Sequence, residues 1–244
     1  MLTKREQKFI QSLKIKKYRT LENRFLVEGK KNVNEVVNSD FSIDMILATT
    51  DEVQSFTALD NLRIEVVNQV LLSKIGNFKT NEACLAVVQQ KPLRKYDLPL
   101  SDHLFVLDGV GDPGNLGTII RSLDWFGFSH LVCTTDCAEF YHPKTIASSM
   151  GSFTRVHAYY QDLAELLTSF QGVKVIGADS SGVSLHAIAI SEPSIIIMGS
   201  ESHGIRPSLE ALLSERVSIP QVGGAESLNV GVATGILAYH LRNS

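Results

Sequence analysis

Cysteine is scarce in this sequence. Cys84, Cys133 and Cys137 are an odd number, so no disulfide framework of the secreted kind is available to them. Cys133 and Cys137 stand four apart, but no second Cys or His pair follows at zinc-ligand spacing. They read as reduced, partly buried thiols, and no metal site is expected. Long apolar runs are missing too: the most apolar stretch, Leu228 to Leu241, is too short to span a bilayer and carries Asn229, Thr234 and His240. The chain opens Met-Leu-Thr-Lys-Arg-Glu, without a charged-then-apolar leader. No repeat or low-complexity tract is visible. What is present is ordinary: 44% apolar and 20% charged residues exclude wholesale disorder. A cytoplasmic, membrane-free globular protein of one large domain or two small ones is expected.

The formal net charge of −3 hides an asymmetry. Residues 1 to 31 hold ten basic side chains (Lys4, Arg5, Lys8, Lys14, Lys16, Lys17, Arg19, Arg24, Lys30, Lys31) against Glu6, Glu22 and Glu28, or +7; the remainder is therefore −10. A basic end on an acidic body suits a polyanionic partner, because phosphate contacts release counterions. A merely solvated helix face is the other reading.

Apolar spacing predicts a helix from Thr3 to Ile15, an apolar run at Phe25 to Val27 and a helix at Gly29 to Val37. Strands at Ile43–Ala48, Leu62–Val67 and Ala83–Gln89 alternate with helices at Glu52–Leu59 and Val70–Ile75, which argues a small α/β domain over 1–90. Pro92 and Pro99 interrupt the pattern, so 91–101 reads as a linker. Over 102–244 strands are expected at Leu104–Leu107, His130–Thr134, Lys174–Ala178, Ser194–Met198 and Arg216–Ile219. Helices are expected at Leu116–Phe126, Lys144–Met150, Asp162–Phe170, Pro207–Leu213 and Ser227–Leu241. Unbroken apolar strands such as Ile195-Ile196-Ile197-Met198 imply a parallel sheet covered on both faces.

Gly109, Gly111 and Gly114 spell G-x-G-x-x-G between a strand and a helix, and Asp136 follows Gly114 by 22 residues. That is a dinucleotide-binding fingerprint with its ribose-binding acid. Against it, Pro113 lacks an N–H to offer a pyrophosphate, and Asn115 as N-cap would start the helix beyond the glycines.

Three segments concentrate polar groups at strand ends, where α/β proteins hold ligands. They are Asp112-Pro113-Gly114-Asn115-Leu116-Gly117 with Arg121; Gly199-Ser200-Glu201-Ser202-His203-Gly204-Ile205; and Ile219-Pro220, Gly223-Gly224-Ala225-Glu226 and Ser227-Leu228-Asn229-Val230. In this order they resemble the SpoU/TrmH family of ribose 2′-O-methyltransferases, of the SPOUT superfamily, over roughly residues 102 to 244. Arg24-Phe25-Leu26-Val27-Glu28-Gly29 resembles the start of that family's substrate-binding domain. Gln221 stands where the family usually has methionine, and Gly231 where it usually has serine.

The resemblance implies an α/β fold: a C-terminal parallel-sheet SPOUT domain with a deep trefoil knot, preceded by a small α/β RNA-binding domain, and a homodimer through the C-terminal domain. It implies S-adenosylmethionine as cofactor, near Ala178, Gly199, Ser200, Glu201, Gly204, Ile219, Pro220, Ser227, Leu228 and Asn229. It makes Asn115, Arg121, Glu201, Ser227 and Asn229 the catalytic set. The resemblance makes Arg121 the general base; a guanidinium hardly deprotonates, so electrostatic activation of the ribose oxygen is physically easier, and the sequence leaves both roles open. Each has a plainer reading: caps for Asn115, Glu201, Ser227 and Asn229, a surface residue for Arg121. His203 reads as structural, and Trp125 as core or interface. Ribosomal RNA is the expected substrate over transfer RNA; the rivals are a nicotinamide or flavin oxidoreductase and a non-catalytic RNA-binding protein.

Overall fold

The computed structural model describes residues 2–57, 59 and 62–243. The expected helix Glu52–Leu59 passes through Ala58, and the expected domain limits fall on Met1 and Ser244, all outside the described residues. Of that helix the structure shows a short 3-10 turn, Val53–Phe56.

Two compact units form. The first comprises residues up to Pro92 together with Tyr141–Thr154. Its sheet has the order β1 (Arg24–Glu28), β4 (Cys84–Gln89), β2 (Ile43–Ala48), β3 (Ile64–Val66), antiparallel except between β2 and β3. Strand alternation divides β1 between two cores. Leu26 packs with Ile10, Leu13, Leu72 and Ile75, from the segments of α1 (Lys4–Ser12) and α4 (Gln69–Ile75). Phe25 faces Phe41, Tyr141 and Phe153, with ring centroids 5.9, 4.6 and 6.0 Å away.

Where the sequence suggested one helix to Ile15, there are two. α1 opens on a Thr3–Glu6 capping box, and α2 runs over Lys16–Glu22. The break is held by Arg19, which is buried and donates to the carbonyls of Leu13 and Lys14 at 3.1 and 2.8 Å. Arg19 is thus a structural cation. Arg24 pairs with Asp44, Lys30 with Glu52, and Lys14 donates to the Lys74 carbonyl. Lys4, Arg5, Lys8, Lys16, Lys17 and Lys31 are exposed and have no ionic partner among the described residues.

The second unit contains Leu93–Phe140 and the chain from Arg155. Its six strands are β5 (Leu104–Asp108), β6 (His130–Cys133), β7 (His157–Tyr160), β8 (Val175–Ser184), β9 (Ile195–Gly199) and β10 (Glu215–Ser218). Every pair is parallel, in the order β10-β8-β9-β5-β6-β7. β7 was not anticipated, and β8 runs on to Ser184 beyond the expected Ala178. In the stretch read as a linker, Tyr96 is buried against Tyr159. The chain steps outward from β5 to β7, then returns to place β9 beside β5. The carboxyl ends of β5 and β9 form the switch point, where an open parallel sheet leaves a crevice.

With the short helices α6 (Pro143–Ser149), α7 (Leu163–Ser169) and α8 (Pro207–Glu210) between them in sequence, the long helices α5 (Pro113–Trp125) and α9 (Val230–Arg242) pack on each other. The last helix therefore starts three residues later than Ser227, after the Asn229 cap. Small residues let the two axes approach: a Cβ on Gly231 would lie 3.0 Å from Thr118 Cγ2, and one on Gly235 3.5 Å from Ser122 Oγ. Arg242 closes the far end. It donates to the carbonyls of Phe126 (2.7 Å) and Gly127 (3.1 Å) just past α5, pairs bidentately with Asp102 at 3.0 and 2.6 Å, and lies over the Phe128 ring. Arg242→Ala should cost about 2 kcal/mol, several charge-assisted bonds lost from a partly solvated site. Arg242→Lys should recover less than half of it, because an ammonium cannot reproduce the fork. Urea midpoints of the three proteins give the comparison.

Candidate active site

At the end of β5 sits a cation supplied by the chain beyond β9. Arg206 lies against Asp108 at the strand end: its backbone N–H donates to Asp108 Oδ2 at 2.8 Å, and its Nε is 2.5 Å from Oδ1. Its Nη2 reaches Asp136 at 3.0 Å. Asp136 is held below the usual carboxylate range by the Thr134 hydroxyl and by Arg206. Gly109, at φ +71°, turns tightly beneath this guanidinium, where a Cβ would meet Arg206 Nη2 at 3.3 Å. The acid that a dinucleotide site would use on a ribose is thus committed to an internal ion pair.

Helix α5 starts earlier than Asn115. Asp112 is its N-cap, accepting from the Asn115 N–H at 2.9 Å, and Pro113 fills the first position, where a missing N–H costs nothing. The expectation that Asn115 caps the helix is corrected. The helix does open within the glycine run, so that part of the case against a dinucleotide does not hold; Pro113 and Arg206 carry it.

Freed from capping, the Asn115 amide joins the three segments. Asn229 caps α9, its Oδ1 accepting from the N–H groups of Gly231 (2.9 Å) and Val232 (3.3 Å). Its Nδ2 must then donate, and does so to Asn115 Oδ1 at 2.9 Å. Asn115 Nδ2 donates in turn to the Glu201 carboxylate. Each amide's orientation is forced by its neighbour, because an amide offers acceptors on one side and donors on the other.

Glu201 sits in a tight turn closed by mutual backbone bonds between Ser200 and Gly204, both 3.0 Å. Gly204 has φ +65°, and a Cβ on Gly199 would fall 2.2 Å from the Gly204 carbonyl carbon. His203 is tied locally, its N–H to Ser200 Oγ and its ring to Ser202, in keeping with a structural role. Ala178, partway along β8, pairs with Met198 and so lies beside the end of β9 at Gly199.

The third segment stands apart from the packing. Residues from Pro220 to Asn229 are exposed, Val222 completely and Leu228 by about half. Among the described residues no backbone N–H from Ile219 to Leu228 donates within the protein. Gln221 shapes the loop by bonding the carbonyls of Gly223 and Ala225 at 2.8 and 2.5 Å. Ser227 is exposed and makes no hydrogen bond among the described residues. Arg121 is exposed likewise and does not join the relay. Six residues beyond Asn115, it points about 120° away around the helix. It lies instead one turn before Trp125, which is 82% exposed and so not a core residue.

No group of three or more potential metal ligands occurs among the described residues, and all three cysteines are buried. What the arrangement offers is a fixed carboxylate with free lone pairs beside two backbone-rich loops, one of them unsatisfied.

Sequence and structure comparisons agree on what this resembles. The SpoU rRNA methylase family pattern matches residues 102–239, and that of the MRM3-like substrate binding domain matches 5–86. The 23S rRNA (guanosine(2553)-2′-O)-methyltransferase of Bacillus subtilis is 33% identical, covering 94% of this chain and 93% of its own. A candidate RNA methyltransferase of the TrmH family from Porphyromonas gingivalis superposes with TM-score 0.88 at 33% identity, covering 100% of this chain and 99% of its own. An AdoMet-bound rRNA methyltransferase from Sinorhizobium meliloti gives 0.86 at 28% identity, covering 100% and 96%.

The relay yields a test. Asn115→Asp keeps the acceptor for Asn229 but sets a carboxylate against Glu201. At pH 7 this should cost about 1 kcal/mol, through one lost bond and like-charge repulsion. Repulsion raises the folded-state pKa of the pair above its unfolded value, so the deficit should shrink as pH falls below about 5. Urea denaturation of both proteins at pH 7 and pH 4.5 reads it out; a deficit independent of pH would place Glu201 elsewhere.

Proposed function

Since this chain belongs to the SpoU rRNA methylase family, we propose that it transfers a methyl group from S-adenosylmethionine to a ribose 2′-hydroxyl of ribosomal RNA. The observation that carries this reading is the relay Asn229–Asn115–Glu201, which draws three separate polar segments together at the crevice between β5 and β9. A relative spanning 94% of the chain and named for 23S rRNA favours ribosomal over transfer RNA.

The residues present fit the cofactor. The free N–H groups of Ile219 to Leu228 suit its polar edges, Val222 and Leu228 offer apolar cover, and Gly199, Ser200, Gly204 and Ala178 form the facing rim; Ser227 completes the mouth. Ile219 and Pro220 lead the chain into this loop. Bound there, S-adenosylmethionine supplies an electrophilic methyl. The chain has to hold the ribose oxygen and favour its loss of a proton. Glu201, oriented by Asn115, accepts a ribose hydroxyl hydrogen, and Arg121 stabilises the developing alkoxide.

For Arg121 to do so, a second copy is needed. Trp125 on α5 and Val232, Ile236 and Tyr239 on α9 form an exposed apolar face, the α9 residues at i, i+4 and i+7. We read this face as the homodimer contact, with Arg121 at its edge acting on the ribose from there. The further parts of the reading are an RNA-binding domain over 1–90, a linker at 91–101, a catalytic domain over 102–244 with a trefoil knot in its 199–229 loops, and cytoplasmic location.

Purified protein with methyl-labelled S-adenosylmethionine should label ribosomal RNA from a deletion strain in alkali-resistant, ribose-methylated positions. No incorporation would overturn the reading. Arg121→Ala should lower the single-turnover rate at saturating cofactor by ~10²-fold or more, the effect of one lost preorganised donor, with S-adenosylhomocysteine affinity unchanged. Arg121→Lys should rescue poorly.

A further inference from the structure

Away from the relay, the first unit contains a cavity of about 360 Å³ at the end of its sheet where β1 leads into α3 (Lys30–Val37). Its lining is Glu28, Gly29, Phe78, Thr80, Asn81, Glu82 and Ala83. The size is within the range of small-ligand sites.

The walls are fixed by a buried carboxylate. Glu28 accepts from the Asn77 N–H (2.8 Å) and side chain (2.7 Å), from the Phe78 N–H (3.3 Å) and from Asn81 Nδ2 (3.5 Å). A Cβ on Gly76 would strike it at 2.4 Å. Glu28 is therefore satisfied by the loop it organises. Glu82, in contrast, is exposed and has no hydrogen bond or ion pair among the described residues, although it lines the cavity. Half-buried Phe78 adds an aromatic wall. Exposed Lys79 and Lys31, without ionic partners, lie next in sequence to Phe78 and close after Gly29. At the same end, Asn32 Oδ1 is buried without a partner, while its Nδ2 donates to the Glu28 carbonyl.

We propose that this cavity takes an unpaired guanine splayed out of the substrate RNA, stacked on Phe78 with its N1–H and N2–H donating to the Glu82 carboxylate. The inference rests on the RNA-substrate reading above. A free carboxylate opposes a polyanion unless it is used as an acceptor. Among the four bases guanine alone presents two parallel donors on its pairing edge to match two carboxylate oxygens. Aromatic stacking with hydrogen bonds to the pairing edge is how proteins read unpaired RNA bases, and Lys31 and Lys79 supply phosphate contacts at the rim.

Full-length protein is titrated into labelled ten-nucleotide oligoadenylates whose central base is adenine, guanine or inosine. Guanine should bind about tenfold tighter than adenine, with inosine, which lacks the N2 amino group, in between. Glu82→Gln should erase the preference while leaving the adenine oligomer bound as well or better, since a negative charge is gone. Phe78→Leu, which keeps apolar bulk, should weaken the guanine oligomer severalfold with an unchanged thermal melt. Equal binding of the three oligomers, or Glu82→Gln acting equally on all of them, overturns the proposal. Methyl transfer to ribosomal RNA is assayed in parallel. Transfer without guanine preference defeats the cavity proposal alone, whereas guanine preference without transfer supports it and defeats the catalytic reading.

Discussion

A helix end must find acceptors for its first N–H groups, and in α9 this requirement is passed along a line of side chains. Asn229 meets it with its oxygen and is left with an amide nitrogen that can only donate. Asn115 must then turn its oxygen toward Asn229 and its nitrogen toward Glu201. The partial positive charge of the α9 terminus is thereby transmitted to a carboxylate that would otherwise hang free on a loop. Two amides and one helix terminus orient Glu201. The closing of the Ser200–Gly204 turn and the approach of α5 to α9 matter because they bring its members within reach.

A second polar assembly keeps the neighbouring loop from competing. Asp108 ends the central strand with a buried carboxylate, a costly arrangement unless it is paired. Arg206 pairs it and extends to Asp136, and Gly109 gives the guanidinium its room. The glycine-rich turn that looks like a pyrophosphate cradle is thus built around an internal cation. The glycine pattern was sound as a statement about backbone geometry and misleading as a statement about ligand.

Legibility followed the range of the interactions involved. The parallel sheet was readable because fully buried strands such as Ile195–Met198 need no long-range information. The order of the three polar segments was readable because motif residues are contiguous. Asp112-Pro113 is itself a cap signal, since proline favours the first helical position, and it prevails over the nearby Asn115. The breaking of the first helix by Arg19 was not readable, because a buried arginine looks like any other surface cation until its carbonyl partners are known. Nor was the membership of Tyr141–Thr154 in the first unit, which depends on Phe25 meeting Tyr141 and Phe153 across more than a hundred residues. The basic end shows the same limit. Of its ten cations, Arg19, Arg24, Lys14 and Lys30 are engaged within the fold, so the charge open to an RNA is smaller than the sequence count.

Gly231 connects the packing to the chemistry. It is the second residue of α9, two past Asn229, and it rests against Thr118, three past Asn115 on α5. The Asn115–Asn229 bond therefore spans the same crossing, one turn or less from the contact. A side chain at Gly231 would meet Thr118 Cγ2 at 3.0 Å and Asn229 Oδ1 at 3.2 Å, closer than most carbon contacts allow. Either the helices would part or the cap would shift, and a 2.9 Å bond tolerates little of either. Threonine stands on one helix and glycine on the other, so the bulk lies on one side of the crossing. The pair Thr118–Gly231 therefore belongs to the site although neither residue contributes a polar group to it.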